Sequence, residues 1–487
     1  MTRPRSPCDR LPDDPADARL LGLYAQRQEG RWMQRIKVFG GRLSARQWRA
    51  LARLARDLTP ATPLHLTTRQ DVELHDLAPD AIPAAQRRLA DAGFSTVGAC
   101  GDTPRNITIC PGSGVRAGRP DLAPLAREVQ GLLEATDGIW SLPRKFKISF
   151  SACPEACAQP WINDLGFILR REGAEWSFRV VAGGSLGARP GAAMLLEESL
   201  PPDDVLPMVL GAVRFFAAHG DRTNRTRARL RHVREKMGDE PFADALREAL
   251  IHARGEREWP HAALALPPSP RLRRAGPPSP RLRRAGPPSP LESTRTLVFA
   301  NGDITPDQAD ALADLADAPD LAVRLANHHR IQVFGPNDLR LDAALAASPA
   351  LAAAARPQAS VVACPGTRWC RCALADTNRL ADRLRGRFAA SLDPSLTIAL
   401  SGCPNGCAHS AVADVGLVGT LARRGGLARR DGIRAEAYTL LAGGGMGRDE
   451  RLAETIARRL SADEAVEKIA EVLQTRPLAA NGPPRCT

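Results

Sequence analysis

The segment SGCPNGCAHSAVADVGLV, residues 401–418, decides the fold, because a close copy, SACPEACAQPWINDLGFI, stands at residues 151–168. Four further pairs of segments recur in the same order along the two halves of the chain. They are RIKVFGGRLSARQWRALARLARD with TLVFANGDITPDQADALADLADA, HLTTRQDVELHDL with RLANHHRIQVFGP, NITICPGSGVR with SVVACPGTRWC, and VVAGGSLGARP with LLAGGGMGRDE. One similar pair arises easily by chance, but five pairs in register indicate a duplicated unit.

Each unit has the pattern of an α+β fold. It opens with an extended apolar run, a helix of 3.6-residue apolar period such as ARQWRALARLARDL, and an alternating strand such as HLTTRQDVELHDL. This order indicates a ferredoxin-like half-domain, and a mixed α/β domain follows in which FKISFSAC and LTIALSGC predict strands that lead into cysteine turns. The predicted fold is therefore a pseudo-twofold α+β duplication. The predicted domains are 15–95, 96–260, 293–345 and 355–475, with a Pro- and Arg-rich linker at 261–292.

Four cysteines of the second half form two closely spaced pairs. The pairs are Cys364 and Cys370, separated by five residues, and Cys403 and Cys407, separated by three. Two loops that supply four thiolates match the requirement of an iron–sulfur cluster, and the glycines and proline of SGCPNGC favour a tight turn around it. Two other interpretations stay open, namely a zinc ion, whose paired ligands are usually two to four residues apart, and ordinary buried thiols. Cys372 is a spare thiol that adds to the ambiguity.

Disulfide bonds are not expected in this chain. Residues 1–20 lack the apolar stretch of a secretory signal, and 11 cysteines in 487 residues is far below the density of a disulfide-stabilised fold. No run of 18 apolar residues occurs, so no membrane span is expected either. The expected location is the cytoplasm, where thiols stay reduced and clusters are assembled.

The formal net charge of +13 is partly a property of the linker. The repeat PPSPRLRRAG, which starts at Pro267 and again at Pro277, contributes six arginines, so the rest of the chain carries 13 − 6 = +7. The repeat is of low complexity and predicts an extended, solvated segment. No aromatic-rich basic surface or nucleic-acid motif is present, so nucleic acid is not an expected partner. An anionic substrate or an acidic protein partner suits the charge better.

The cysteine pattern and the duplicated unit resemble those of the siroheme-dependent nitrite and sulfite reductases over about residues 20–473. The resemblance implies a 4Fe–4S cluster on the four cysteines of the second half, with Cys407 also bridging the cluster to the siroheme iron. The first half has Arg116 where the second has Cys370. Cys100 is a conceivable replacement ligand, but the favoured interpretation is that three first-half thiols are buried relics of the duplication. These are Cys110, Cys153 and Cys157.

The first half is basic at positions where the second is not, and the resemblance gives these residues roles. By resemblance, two arginines and two lysines bind the oxyanion on the open face of the siroheme: Arg35, Arg105, Lys145 and Lys147. Four further residues are implied to hold the tetrapyrrole or to flank the same site: Arg69, Gln70, Asn106 and Asn405. Lys145 and Lys147 are two residues apart on a predicted strand, so both project to one face. A site lined with Lys and Arg is expected to stay cationic at all working pH and to help deliver protons.

The second half has His328 and His329 at the places of Arg69 and Gln70. Histidine can be a metal ligand, but two histidines in an alternating segment are better interpreted as half-exposed strand residues. The segments GGSLG and GGGMG, which begin at Gly183 and Gly443, lack the GxGxxG form of a dinucleotide-binding fingerprint. No flavin or nicotinamide segment is present, so a separate electron donor such as an acidic ferredoxin is expected.

Three functions are compatible with these features. The favoured one is a ferredoxin-type reductase that converts sulfite to sulfide or nitrite to ammonia in a six-electron reaction. The alternative enzyme is precorrin-3B synthase, an oxygen-dependent hydroxylase of cobalamin synthesis that resembles the same superfamily. That enzyme uses the tetrapyrrole as substrate and binds no oxyanion, so the complete basic set argues against it. The third is a cluster-bearing electron carrier or tetrapyrrole-binding protein without activity.

Overall fold

The computed structural model describes residues 7–262, 264, 291–388, 392–422, 435–445, 447 and 451–475. The PPSPRLRRAG repeat of the predicted linker lies outside the described residues. Four sheets and their covering helices make up the described chain, so the predicted α+β fold is confirmed. Each half contributes an antiparallel sheet followed by a mixed sheet of five strands, which is the order that a duplication predicts.

The antiparallel sheets belong to the two half-domains. Their strands are β1 (Leu23–Ala25), β2 (Trp32–Ile36), β3 (Leu64–Leu66) and β4 (Val72–Leu77) in the first half, and β10 (Ser293–Val298), β11 (Asp303–Ile304), β12 (Ala322–Leu325) and β13 (Arg330–Gly335) in the second. The strand orders are β1-β2-β4-β3-β11 and β10-β13-β12. Strand β11 of the second half thus pairs with β3 of the first, with Asp303 opposite His65. The two half-domains therefore share a sheet.

The mixed sheets have the same topology in both halves. Their strands are β5 (Thr108–Ile109), β6 (Ile148–Ser151), β7 (Leu165–Glu172), β8 (Glu175–Ala182) and β9 (Met194–Leu200), and β14 (Ser360–Ala363), β15 (Thr397–Ser401), β16 (Val415–Leu421), β17 (Glu436–Ala442) and β18 (Glu454–Leu460). In each sheet the first three strands are parallel and the last two antiparallel. Both sheets also have an irregular register between their last two strands. The cysteine loops follow corresponding strands, β6 and β15.

Helices cover the sheets of both halves. They are α1 (Pro15–Leu20), α2 (Ala45–Leu58), α3 (Ile82–Asp91), α4 (Ala123–Glu134), α5 (Val205–His219), α6 (Leu230–Met237) and α7 (Asp239–Gly255), then α8 (Pro306–Asp317), α9 (Asp338–Ala346), α10 (Ala352–Ala355), α11 (Gly366–Trp369), α12 (Thr377–Phe388) and α13 (Ala462–Thr475). Corresponding helices α2 and α8 both begin with a capping box, formed by Ser44 with Gln47 and by Thr305 with Gln308. Local sequence therefore sets both helix starts.

Glycine is required where the chain returns after each cysteine loop. A Cβ atom on Gly416 would lie 2.0 Å from the carbonyl oxygen of Ser410, and one on Gly166 would lie 2.4 Å from Cβ of Pro160. Strands β7 and β16 can therefore pass close beneath the loops only because these residues lack a side chain. The close approach holds the cysteine loops against the sheets.

One aliphatic core runs through both half-domains and the first mixed sheet, and the second mixed sheet has its own core. Aromatic packing is local, as for Phe150 and Phe167, whose ring centroids are 4.8 Å apart. Over the residues that the structure describes, no helix combines the length and the apolar character needed to cross a membrane.

Candidate active site

The four predicted cluster ligands lie in two loops after the neighbouring parallel strands β14 and β15. Cys364 follows β14, the short helix α11 leads to Cys370, and Cys403 and Cys407 follow β15. The backbone N–H of Gly402 donates to Sγ of Cys364 at 3.1 Å, which is the kind of hydrogen bond that cluster sulfurs receive. Cys364 and Cys403 are buried, Cys370 is half-buried and Cys407 is exposed.

The four thiols are electrostatic neighbours of one another. Burial, followed by the charge of Cys407, raises the pKa of Cys364 to about 12, and burial also raises the pKa of Cys370 to about 12. Free thiols here stay protonated, so a bound cluster must displace their protons. Within the described ranges, no three Cys, His, Asp or Glu side chains converge as a single metal ion requires.

The corresponding loops of the first half keep the backbone geometry but not the ligands. The N–H of Ala152 donates to Sγ of Cys110 at 3.1 Å, the same distance as in the second half. Arg119, however, donates from Nη1 to Sγ of Cys153 at 2.9 Å. The first-half loops therefore place a guanidinium beside their buried thiols.

Five cations of the first half, four of them half-buried and Arg229 buried, gather near the start of β6. The group, called here the cationic cluster, consists of Arg69, Arg105, Lys145, Lys147 and Arg229, each an electrostatic neighbour of others in it. Asp71 and Asp164 are its counter-charges. The carboxylate of Asp164 accepts from Nε and Nη2 of Arg229 at 3.2 and 2.6 Å and from the backbone N–H of Lys147 at 2.8 Å. Five cations with so little compensating charge fit a bound polyanion. A siroheme with its carboxylates is such a group.

Burial changes the protonation expected of the two lysines. Burial, followed by the charges of Arg229 and Arg105, lowers the pKa of Lys145 to about 7. Burial, followed by the charge of Arg69, lowers the pKa of Lys147 well below its ordinary value. The arginines keep the site cationic, since the pKa of Arg69 is lowered only to about 10, whereas the two lysines lose charge more readily in the absence of an anion, because desolvated like charges repel. An anion among them raises both pKa values, so anion binding is coupled to proton uptake.

The cationic cluster meets the cysteine loop of the second half. Lys145 is an electrostatic neighbour of Cys407. The Thr68 hydroxyl donates to the carbonyl oxygen of Cys407 at 2.9 Å. The next residue, Arg69, donates to Oδ1 of Asn163 at 2.5 Å and to the carbonyl oxygen of Asn106 at 3.1 Å. One short segment therefore connects the loop of the exposed Cys407 to the cationic cluster.

Arg35 lies beside the cationic cluster and has a partner of its own. Its Nε and Nη2 donate to one carboxylate oxygen of Glu73 at 2.9 and 2.6 Å. Cys100, the conceivable fourth ligand of the first half, is an electrostatic neighbour of Arg35 and Arg105. An oxyanion that binds Arg35 must compete with Glu73, so the role of this arginine stays a prediction.

The residues predicted to contact the tetrapyrrole differ in whether their polar side-chain atoms already have hydrogen-bond partners within the protein. The Gln70 amide donates to backbone carbonyls of both halves at 2.7 and 2.9 Å, and its oxygen accepts a backbone N–H at 3.0 Å. The Asn106 amide donates to a backbone carbonyl at 2.9 Å, but its Oδ1 is buried with no partner among the described residues. Asn405 is exposed next to Cys403. Asn106 therefore has a free acceptor for a bound group, whereas Gln70 is committed to the fold.

His328 and His329 are 3% and 4% exposed, so the prediction of half-exposed strand residues is wrong. Both have positive φ, 62° and 58°, and they form the turn that precedes β13. Two consecutive left-handed residues interrupt the alternation on which the prediction depended. The turn directs His328 towards His409, which follows Cys407 by two residues, at 3.0 Å between ring nitrogens.

The sequence analysis missed Asp164, Arg229 and His409. Asp164 had a detectable signal, because Asp414 occupies the same place in the duplicated segment. Both aspartates accept a backbone N–H from the chain beside them, at 2.8 and 2.9 Å. Arg229 precedes α6 and belongs to no motif, so only the folded chain identifies it.

Comparisons with known proteins identify the family of this chain. The nitrite and sulphite reductase 4Fe-4S domain family matches residues 100–253 and 357–475, and the nitrite/sulfite reductase ferredoxin-like half domain family matches residues 24–92. The chain is similar to the assimilatory ferredoxin-dependent nitrite reductase of Haloferax mediterranei, with 30% identity over 96% of this chain and 84% of the relative. It is also similar to the ferredoxin sulfite reductase 2 of Mycolicibacterium paratuberculosis, with 26% identity over 93% and 84%. Its fold resembles that of the Mycobacterium tuberculosis NirA protein, with a TM-score of 0.74, 22% identity, and 94% and 86% of the chains covered.

Proposed function

Because the chain belongs to the family of nitrite and sulfite reductases with a 4Fe-4S domain, we propose that it reduces sulfite to sulfide or nitrite to ammonia, in six electrons, at a siroheme joined to the cluster through the sulfur of Cys407. The chain is an oxidoreductase of the ferredoxin-dependent type, and its cofactors are a 4Fe–4S cluster and a siroheme. In this proposal the cluster binds Cys364, Cys370, Cys403 and Cys407. The cationic cluster holds the siroheme carboxylates and the oxyanion.

The proximity of Lys145 to Cys407 is the observation that carries the proposal. The thiol belongs to the predicted cluster ligands of the second half, and the lysine belongs to the cationic cluster of the first. The supply of electrons and the binding of an anion therefore meet at one place. Cys407 is also exposed, whereas Cys364 and Cys403 are buried, so its sulfur is accessible to a second metal centre.

When bound, the siroheme supplies the iron centre for the reduction, and the cluster supplies electrons one at a time. The residues of this chain bind and orient the anion and hold protons. The guanidinium of Arg105 donates to the carbonyl oxygens of Ala99 and Gly101 at 2.6 and 2.9 Å, so its orientation is set before the anion arrives. Lys145 and Lys147 take up protons when the anion binds and hold them at Nζ, next to oxygens that must leave as water.

An acidic ferredoxin or similar protein is the proposed electron donor. Three exposed arginines, Arg27, Arg368 and Arg371, surround the loop that carries Cys370. Arg27 and Arg371 join this loop to the N-terminal segment, because Nη2 of Arg27 donates to the carbonyl of Ala373 at 2.7 Å and Nε of Arg371 to that of Gln26 at 2.5 Å. A positive surface next to the cluster favours an acidic donor and predicts an association rate that falls with added salt. We propose the cytoplasm as the location, because a cluster needs thiolate ligands and that compartment keeps thiols reduced.

The decisive experiment is anaerobic purification followed by spectroscopy and product detection. We expect absorption of both cofactors, spectral changes with nitrite or sulfite, and production of ammonia or sulfide with a reduced one-electron donor. Protein that contains the cluster without bound siroheme, and that hydroxylates a precorrin, would contradict the proposal in favour of precorrin-3B synthase. Protein with both cofactors but no turnover of either anion would favour an inactive carrier.

Two substitutions separate the roles of the residues. Lys145→Gln should lower anion reduction by roughly 10²-fold and leave both cofactors bound, because one preorganised donor is lost. Lys468→Gln on α13 is the matched control, since Lys468 is exposed and pairs only with Glu471 among the described residues. Cys407→Ser should uncouple the cluster from the siroheme and abolish turnover. Retained turnover in Cys407→Ser, or an unchanged rate in Lys145→Gln, would exclude the proposed role of that residue.

A further inference from the structure

Five of the nine histidines lie together in the interior, where the two half-domains meet the cysteine loops. Their rings meet edge to face, with centroids 5.7 Å apart for His65 and His75, 5.0 Å for His65 and His329, and 5.1 Å for His328 and His409. Each ring is at most 5% exposed. Imidazoles are rarely gathered in an interior without a hydrogen-bonding role, and the proposed reduction has so far used none of them.

A chain of hydrogen bonds runs through part of this group, from Arg330 to His409. Nη2 of Arg330 lies 3.2 Å from Nδ1 of His328, and Nε2 of His328 lies 3.0 Å from Nδ1 of His409. The side-chain amide of Gln159 also lies 3.0 Å from Nε2 of His328. Gln159 is the first-half counterpart of His409, so His328 connects the two duplicated cysteine loops.

The guanidinium of Arg330 fixes the direction of this chain. A guanidinium donates hydrogen bonds and cannot accept them, so Nδ1 of His328 must offer a lone pair. A neutral His328 then carries its proton on Nε2, from which it donates to Nδ1 of His409. Because Nδ1 of His409 accepts, the proton of His409 lies on Nε2. The Gln159 amide fits when it turns its oxygen towards Nε2 of His328, since the two ends of an amide are assigned from such contacts.

The far end of the chain lies near the cationic cluster. The electrostatic neighbours of His409 are His328, Lys147, Arg69 and His329. Because Nδ1 of His409 is directed at His328, its Nε2 lies on the opposite side of the ring. The backbone supports this arrangement with left-handed conformations at His328, His329 and His409, with φ of 62°, 58° and 66°. Such conformations in non-glycine residues are strained and are typical of functional sites.

We propose that the N–H at Nε2 of His409 is a further anion-binding donor, which hydrogen-bonds to an oxygen of nitrite or sulfite beside Lys147. The inference rests on the proposed function and adds a residue to its binding site. His328 and Arg330 are positioning residues, because they fix the tautomer of His409 without touching the anion. A neutral donor strengthens anion binding without adding a sixth charge to cations that already repel one another.

The test measures anion affinity at equilibrium, through cofactor absorption of the loaded enzyme and without an electron donor. His409→Asn keeps an acceptor for His328 but lacks the donor at Nε2, whereas His409→Gln places an amide N–H near Nε2. We expect nitrite and sulfite to bind roughly 10- to 100-fold more weakly to His409→Asn, and within about threefold of the unsubstituted protein to His409→Gln. His252→Asn on α7, whose side chain is 80% exposed, is the control and should change nothing.

A second variant tests the positioning step. His328→Phe keeps a buried ring but removes the N–H that fixes His409, so we expect a comparable loss of affinity with cofactor content unchanged. Loss of cluster or siroheme from His328→Phe would mean that His328 supports the cofactors rather than the tautomer of His409. Unchanged anion affinity in His328→Phe would overturn the positioning step.

The possible failures can be told apart. Equal anion affinity in His409→Asn and in the unsubstituted protein would overturn this inference and leave the proposed function intact. Failure of the unsubstituted, cofactor-loaded protein to bind either anion would overturn the proposed function together with the inference.

Discussion

The substitutions Asp164→Asn and Asp414→Asn change equivalent positions of the two halves and should have opposite effects on stability. Each aspartate accepts one backbone N–H, at 2.8 Å for Asp164 and 2.9 Å for Asp414. The side chain of Asp164 is 0% exposed and forms a two-nitrogen ion pair with Arg229. Asp414 forms no ion pair within the described part of the chain, and Arg330 and Arg451 act on it only as nearby charges.

The expected magnitudes follow from these surroundings. Asp164→Asn keeps the backbone hydrogen bond but leaves Arg229 buried among like charges, and breaking such a buried pair costs about 3–5 kcal/mol. At Asp414, burial raises the pKa from 3.8 to about 6, which corresponds to about 3 kcal/mol at about 1.4 kcal/mol per pH unit. A raised folded-state pKa means that this stability is present below pH 4 and is lost as the pH rises through 6. Asp414→Asn should therefore stabilise the protein at pH 8 by up to about 3 kcal/mol, and should have little effect at pH 4.

Thermal unfolding of the cofactor-loaded enzyme at pH 8 measures both effects. A unit of 150–250 residues changes its Tm by about 2–4 °C per kcal/mol, so Asp164→Asn should lower the Tm by roughly 10 °C and Asp414→Asn should raise it by several degrees. Added nitrite or sulfite should restore part of the loss in Asp164→Asn, because an anion compensates the cations and stabilises by mass action. Equal changes of Tm at the two positions would refute the claim that the duplicated aspartates have different electrostatic roles.

Two further comparisons use matched positions in the same way. Cys403→Ser should abolish the iron and acid-labile sulfide of purified protein, whereas Cys153→Ser at the corresponding first-half position should leave both unchanged; equal losses would mean that the first half also binds a cluster. Gly416→Ala should destabilise the protein by about 3 kcal/mol or more, because its Cβ would lie 2.0 Å from the carbonyl oxygen of Ser410. Gly386→Ala in α12, which meets nothing within 4 Å, should instead stabilise by about 0.5–1 kcal/mol, as measured by thermal unfolding.

Local signals in the sequence predicted much of the fold, because they depend only on residues that are close along the chain. Ser44 and Thr305 are each followed three residues later by glutamine, and both helices begin there. The cysteine spacing also predicted that each pair lies within one loop, since each pair needs only one turn. The duplication also predicted how distant segments are related, because similar segments of the two halves form mixed sheets of the same topology.

Contacts between distant segments were not predicted from the sequence, for a physical reason. Strand β11 adds to the sheet of the other half-domain, and no property of a two-residue strand specifies which edge it joins. Arg229 reaches Asp164 only because the chain before α6 returns over the mixed sheet. His328 was wrongly assigned to a strand, because the polarity pattern of the sequence does not distinguish an alternating strand from a turn of two left-handed residues. In each case tertiary packing, rather than local preference, selected the conformation.

The position of the site between the halves follows from how the two copies diverged. Equivalent cross-contacts persist, because Thr68 donates to the carbonyl of Cys407 at 2.9 Å and Asn327 donates to that of Cys157 at 3.1 Å. The side chains around these contacts differ between the two copies. The first copy has the paired lysines where the second has Ser395 and Thr397, and the second has Cys370 where the first has an arginine. Neither copy alone retains both the cations and four thiols, so the proposed reaction needs the interface that the duplication created.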